Sequence, residues 1–272
     1  MSIKSTLLAT LILLSQLASA HKDSSTLHYL GNEGVLVVSN ENRILFDPFF
    51  HNNYGTYSLV PEYIRQKIFA GTPPFNNIDA VFISHAHGDH FSDTDMLSYL
   101  VSHKDIQLFA PQQAVDKILA LPESSKLKDR ISAITLNYGD KPENFDFKNI
   151  TVEAVRVPHA GWPGRAEVEN IVFRISLEDG TTVTHMGDAD PNDQHFLPFQ
   201  KFWQSNASDV ALPPYWFFLS DEGNIILKQR INAKKSIGIH VPVKVPEELK
   251  KKGIDYFSSP GETKTFKNTH KH

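Results

Sequence analysis

The chain has 272 residues, 40% of them hydrophobic, a formal net charge of −4 at pH 7 and no cysteine. The apolar content supports a sizeable core, while the mildly acidic balance offers no basic footprint for nucleic acid. The absence of cysteine excludes disulfides, thiolate metal ligands and a cysteine nucleophile together.

The first twenty residues, MSIKSTLLATLILLSQLASA, carry one early charge at Lys4, an apolar run over 7–14 and small residues at Ala18 and Ala20. This pattern predicts a signal peptide over 1–20, cut after Ala20, and a periplasmic or secreted mature domain over 21–272. The apolar run is too short to span a bilayer, so no transmembrane anchor is expected in the mature chain. TLHYLG, GVLVVSN and RILFDPF then predict three strands separated by Gly and Asn turns. VPEYIRQKIFAG predicts a helix with Pro61 near its first turn and Gly71 past its end. DAVFIS reads as a short strand, SDTDMLSYLVSHK as a helix capped by Ser92 or Asp93, IQLFA as a strand and PQQAVDKILALP as a helix.

The second half continues in the same style. ITVEAVRV alternates like a half-buried strand. NIVFRISLEDGTTVTHMGD predicts a hairpin around its Glu-Asp-Gly turn. DVALPP and SIGIHV read as further strands, PEELKKKG as a helix, and the tail from about Lys264 as frayed. Strands with interleaved helices in both halves predict sheets sandwiched by helices. No Pro/Gly/Ser-rich linker divides the chain, so one mature domain is expected.

ISHAHGDHFSD, residues 83–93, concentrates His85, His87, Asp89 and His90 where a strand ends and a helix begins. An extended backbone puts His85 and His87 on one side, and Gly88 allows a sharp turn that aims Asp89 and His90 at a second point. The alternative is a polar loop with incidental histidines. A metal site needs about four ligands, and VRVPHAG, VTHMGDAD and SIGIHVPV each bring a candidate, His159, Asp188 and His240, to a strand-to-loop junction.

This pattern resembles the metallo-β-lactamase superfamily, whose signature His-x-His-x-Asp-His is followed by a later His, an Asp in a Gly-Asp setting and a final His. The resemblance covers nearly the whole mature chain. It implies an α/β (α+β) fold, a four-layer αββα sandwich of two mixed β-sheets flanked by helices. It also implies two divalent metal ions. His85, His87 and His159 would hold the first, Asp89, His90 and His240 the second, and Asp188 would bridge them. Asp190 competes for the bridge, with Asp188 preferred because it follows Gly187 at the strand end. Asp47, in LFDP, would steady the ligand loop from outside the ligand set; as a turn-forming Asp before Pro48 it has an equal alternative role.

The implied chemistry is hydrolysis of an ester-like bond by a metal-bridging hydroxide, with Asp89 orienting it or taking its proton. Nitrogen and oxygen ligands suit zinc, with manganese or iron as alternatives. Asp188 and the lack of Cys disfavour β-lactam hydrolysis, and His87, where the oxygen-reducing branch has Glu, disfavours redox chemistry. The opening LGNEGVLVVSNENRILFDPFF and HMGDAD resemble most the branch containing ascorbate-6-phosphate lactonase and phospholipase D-type enzymes acting on N-acyl phosphatidylethanolamines. A phosphodiester or lactone in a small-molecule or lipid-like substrate is therefore expected. Candidate substrate residues are Trp162 and Arg165 in HAGWPGR, Tyr215 and Trp216 in PPYWFF, and His195. Each has a plainer alternative: a solvated arginine, buried aromatics and a capping histidine. The competing functions are a non-catalytic metal-binding protein on the same fold and an iron-dependent redox enzyme.

Overall fold

Alternation along the strands decides the layering of this structure, a computed structural model in which residues 24–268 are described. The signal peptide expected over 1–20 lies outside the described residues. Strands β1 (Ser24–Gly31), β2 (Gly34–Ser39) and β3 (Asn42–Phe46) form an antiparallel meander. After helix α1 (Glu62–Ala70) comes β4 (Ala80–Phe82), after α2 (Asp93–Ser102) β5 (Gln107–Pro111), and after α3 (Gln112–Leu119) β6 (Ile131–Ile134). These strands extend the sheet in parallel, because a parallel neighbour needs a crossover and each helix supplies one.

The second sheet repeats the plan. Its meander is β7 (Glu143–Phe147), β8 (Ile150–Arg156), β9 (Ile171–Ser176) and β10 (Thr182–His185). Beyond β10, α4 (Gln200–Ser205), the parallel β11 (Val210–Leu212), α5 (Asp221–Ile225), the parallel β12 (Lys235–Ser236) and α6 (Glu247–Lys251) follow. β13 (Thr263–Lys267) returns to the first sheet as the antiparallel neighbour of β1.

Successive side chains of a strand face opposite ways, and here that sorts them between layers. Val35 and Val37 of β2, Ile44 and Phe46 of β3, and Phe173 and Ile175 of β9 meet between the sheets. Leu36, Leu45 and Val81 face α1, α2 and α3 with Ile64, Ile68, Met96 and Ile118. Val155, Val172 and Ala211 face the other helices with Trp203 and Leu249. The result is the four-layer αββα sandwich of two mixed sheets that the resemblance implied. Among the described residues no helix is long and apolar enough to cross a membrane.

Local signals hold at the helix ends. Gly71 closes α1 in the left-handed region at φ 60°, and the Ser92 hydroxyl accepts from the Asp95 N–H at the start of α2. Arg174, buried on β9, pairs in a fork with Glu153 of β8 at 2.6 and 2.8 Å. It also donates to the carbonyls of Phe202, Trp203 and Asn206, tying the end of α4 to the sheet.

Three sequence expectations are corrected. The tail is not frayed from Lys264: Lys264–Lys267 complete β13, where Phe266 is buried and the edge of β1 gains a ladder. RILFDPF does not remain a strand to its end, because Asp47 turns to φ 40°. SIGIHV keeps only Ser236 in a strand, with single bridges at Gly238 and Ile239. Edge strands β6 and β7 were not anticipated; their alternation is brief, and pairing with β5 and β8 sustains them.

Candidate metal centre

Every candidate donor emerges at one end of the sandwich, just beyond a strand. Asp47 follows β3, the loop with His85, His87, Asp89 and His90 follows β4, His159 follows β8, Asp188 follows β10 and His240 lies beyond β12. In the loop after β4, the His87 carbonyl accepts the N–H groups of His90 and Phe91 at 3.1 and 2.9 Å. This turn carries Asp89 and His90 to the other side of His85, whose ring stays 4.0 Å from that of His90. Gly88 is not at a positive φ, contrary to the expectation that its freedom makes the turn. Its small size matters instead: a Cβ would lie 3.2 Å from Asn52 Cβ, and the Asn52 N–H donates to the Gly88 carbonyl.

Two groups form. In the first, His85 Nε2 and His87 Nδ1 face each other at 3.1 Å, and Asp188 Oδ2 lies 3.1 Å from His159 Nε2 and 3.9 Å from His85 Nε2. In the second, Asp188 Oδ1 lies 3.0 Å from His240 Nε2 and 3.4 Å from His90 Nε2, while Asp89 Oδ2 is 3.5 and 3.6 Å from the same two nitrogens. Asp188 thus turns one oxygen to each group. Asp190 does not compete for that position, because its Oδ2 accepts the N–H groups of Gly161 and Trp162.

Asp47, fully buried, governs which ring nitrogens carry protons. Its Oδ1 accepts the Ser84 N–H at 2.8 Å, and its Oδ2 accepts the Ser84 hydroxyl at 2.5 Å and His90 Nδ1–H at 2.9 Å. With its hydroxyl proton committed to Asp47, Ser84 Oγ accepts from His85 Nδ1 at 3.0 Å. His159 Nδ1 donates to the Ala160 carbonyl at 2.8 Å. In the neutral form of each ring the opposite nitrogen, Nε2, is left bare and faces the centre, the arrangement a metal-binding imidazole needs.

The donor set fits divalent cations. Buried polar atoms are normally hydrogen-bonded, yet among the described residues Asp89 Oδ1 has no hydrogen-bond partner, and Asp188 Oδ1, His159 Nε2 and His240 Nε2 face only other members of the same set. They converge with other lone-pair donors, which a cation satisfies and a proton donor from the chain does not. The electrostatics agree. Burial, reinforced by neighbouring histidines, pushes His85 well below the usual range and His87 to about 4, so both stay neutral. Burial opposes charge on His90 and His240 too, but Asp188 and the other carboxylates outweigh it, raising His90 well up and His240 to about 9. Burial likewise opposes charge on Asp188, but His240 and His90 hold its carboxyl well below the usual range. This is a concentrated negative field aimed at the second group.

The candidate substrate residues fall into two aromatic groups. Trp216 packs edge-on against His240 at 5.1 Å and donates its indole N–H to the Ala189 carbonyl, with Tyr215 beside it. Trp162 lies against Tyr138 and His195. The Arg165 guanidinium is exposed and 3.5 Å from His159 Nδ1. His195 is buried, bonded through Nδ1 to the Tyr138 hydroxyl, and lowered by burial.

Sequence reasoning missed several residues. Tyr57 packs edge-on against His240 at 4.0 Å, and burial followed by Asp188 and Tyr215 pushes its hydroxyl up, keeping it neutral. Asn170 accepts the Asp188 N–H and donates to the Val157 and Met186 carbonyls. Asn32 and Glu33, in the β1–β2 turn, are fully buried behind the second group. The only sequence signal there was GNEG, which reads as an ordinary hairpin turn.

Comparison with known proteins points the same way. Residues 42–241 match the family described as beta-lactamase superfamily domain. A UPF0173 metal-dependent hydrolase of Pyrococcus furiosus is 28% identical over 162 residues, 59% of this chain and 60% of that protein. The chain thus spans about 60% of the length of the curated relatives it matches first. The structure of Igni18, a metallo hydrolase of Ignicoccus hospitalis, superposes with a TM-score of 0.58 at 19% identity, covering 90% of this chain and 100% of that one. The metallo-β-lactamase fold protein YhfI of Bacillus subtilis gives 0.59 at 17% identity, over 90% and 100%. At these identities the two structures speak to the fold.

Proposed function

The chain belongs to the beta-lactamase superfamily, and on that premise we propose that it is a metal-dependent hydrolase of ester-like bonds whose centre takes two divalent ions. His85, His87 and His159 would hold one ion and Asp89, His90 and His240 the other, with Asp188 shared. The observation that carries this reading is the divided carboxylate of Asp188, with Oδ2 toward His159 and Oδ1 toward His240. Ions bound there supply Lewis acidity and lower the pKa of water to about 7.

The side chains do the rest. Asp47 and Ser84 keep the Nδ1 protons of His90 and His85 in place. Asp89 Oδ1, buried and without a partner, is free to take the proton that an attacking water gives up. Tyr57 and Trp216 shield the His240 side from bulk water, and Arg165 offers a cation to an anionic substrate group. Nitrogen and oxygen donors favour zinc, with manganese or iron as alternatives. A phosphodiester or a lactone in a small-molecule or lipid-like substrate, as in the lactonase and phospholipase D-type branch the sequence resembles, is the first bond to try. Export with cleavage after Ala20 belongs to the same proposal and is checked by the intact mass of the secreted chain.

The test is turnover by zinc- or manganese-loaded protein on a phosphodiester, a phosphomonoester, a lactone, a thioester and a β-lactam, beside Asp89→Asn. Metal-dependent turnover of one class, lost in the variant, is expected. Bound metal with no turnover on any class would favour the non-catalytic alternative, and oxygen consumption with an iron absorption band the redox one.

A further inference from the structure

The β1–β2 turn reaches further into the centre than a hairpin turn requires. Asn32 is fully buried. Its Nδ2 donates to the Asp89 carbonyl at 2.9 Å and to Asp89 Oδ2 at 3.3 Å, and lies 3.5 Å from His90 Nε2. Its carbonyl accepts the His240 N–H at 3.0 Å and the Tyr29 hydroxyl at 3.1 Å. One residue therefore touches Asp89, His90 and His240, the whole second group apart from the shared Asp188, and among the described residues Asn32 makes no hydrogen bond to His85, His87 or His159. The turn is itself held from two sides. His185, at the end of β10, donates to the Glu33 carbonyl at 3.0 Å. Gly31 packs so closely on the loop that carries Tyr57 that a Cβ would lie 2.9 Å from the Ser58 and Leu59 carbonyl oxygens.

We infer that Asn32 is a positioning residue for the second ion alone: its amide sets the Asp89 carboxylate, and its carbonyl sets the backbone of His240. The inference rests on the two-ion reading above. The physical reason is geometric. Among the described residues Asp89 Oδ1 has no hydrogen-bond partner and His240 Nε2 faces only the carboxylates of Asp188 and Asp89, so their aim depends on what holds the neighbouring atoms. An amide donor on Oδ2 also steadies the carboxylate among other acceptors without adding charge. Removing such an outer contact typically weakens metal affinity about 10–100-fold.

Asn32 sits at φ 43°, a region where Asn is favoured for backbone reasons alone. The variant that separates the two roles is Asn32→Gly, which keeps this backbone conformation and the carbonyl but deletes the amide. Zinc per chain is counted by mass spectrometry after dialysis against zinc buffered by a chelator, for the parent and the variant. Far-UV circular dichroism and melting of the metal-free proteins are measured alongside. The expected result is two ions on the parent, and on Asn32→Gly a second-ion affinity at least about tenfold weaker with the first unchanged. In a His240→Ala background Asn32→Gly should have little further effect, and in a His87→Ala background it should weaken the remaining ion by the same factor.

Two ions on Asn32→Gly at parental affinities would overturn the inference and leave the two-ion reading standing. Equal weakening of both ions, or a collapsed metal-free melt, would also overturn it, because Asn32 would then be a general structural residue. A single ion on the parent would overturn the two-ion reading itself, and the inference with it.

Discussion

Asp47→Asn tests the proton arrangement of the centre without changing its shape. Asn is tolerated at the φ of 40° that Asp47 adopts, so the backbone need not move. At Oδ1 the amide oxygen can still accept the Ser84 N–H. At Oδ2 an acceptor becomes an NH2 donor, facing the Ser84 hydroxyl and His90 Nδ1–H. The hydroxyl can rotate and accept. His90 avoids a donor-to-donor contact by moving its ring proton to Nε2, the atom that faces Asp188 Oδ1 at 3.4 Å. An N–H there cannot ligate a metal. Ser84, now free to donate, can drive His85 toward the same wrong tautomer.

Two losses follow. Metal affinity should fall about 10–100-fold, which at about 1.4 kcal/mol per tenfold is roughly 1.4–2.8 kcal/mol. The metal-free protein loses a hydrogen bond to a charged acceptor, worth about 1.5–3 kcal/mol. At about 2–4 °C per kcal/mol for a domain of this size, melting should fall by roughly 3–12 °C. Chelator competition and a metal-free melt measure the two losses separately. Parental affinity for both ions in Asp47→Asn would refute the argument that Asp47 sets the tautomers.

Zinc at a hundred times its dissociation constant should stabilise the fold by about 2.7 kcal/mol, raising melting by roughly 5–11 °C; a melt indifferent to zinc and to chelator would contradict a site preformed in the native state. Arg174→Ala strands the buried Glu153 and three carbonyls, and should cost about 3–5 kcal/mol in urea denaturation. A cost below about 1 kcal/mol would mean that the pair behaves like a surface one. Burial opposes charge on Asp255, but Lys235 and Lys264 outweigh it and hold the carboxyl below its ordinary value. The stabilisation is present above the unfolded value of about 3.9 and is lost as pH falls through the folded one. Asp255→Asn should therefore be less stable than the parent near neutral pH and converge with it in acid; parallel stability profiles would count against the pairing.

Much of the architecture was legible because its causes are local. The near-continuous apolar runs GVLVVS and IVFRIS mark strands buried on both faces. Ser92 and Gly71 mark helix ends through groups within their own turns. The weaker elements were less legible. β12 is two residues long and paired along one side, and β13 is a strand because β1 offers it a ladder. In both, the partner decides, and the partner is far away in the chain.

The candidate site divides in the same way. Residue type and strand-end placement singled out His85, His87, Asp89, His90, His159, Asp188 and His240, because donor chemistry belongs to the side chain and the strand-to-loop signal to its neighbours. Nothing local distinguishes Asn32 from any other hairpin asparagine, or Tyr57 from any other loop tyrosine. Their relevance comes from Asn32 meeting Asp89 across 57 positions and from Tyr57 lying on the His240 ring. The sequence by itself determined the candidate donors and sheets sandwiched by helices, because hydrophobic patterning and ligand chemistry are written residue by residue. Only the tertiary structure decided how Asp188 divides between two groups, which nitrogen of each histidine faces inward, and that a hairpin turn backs the second group. Those are properties of distances between segments, set by how the sheets pack.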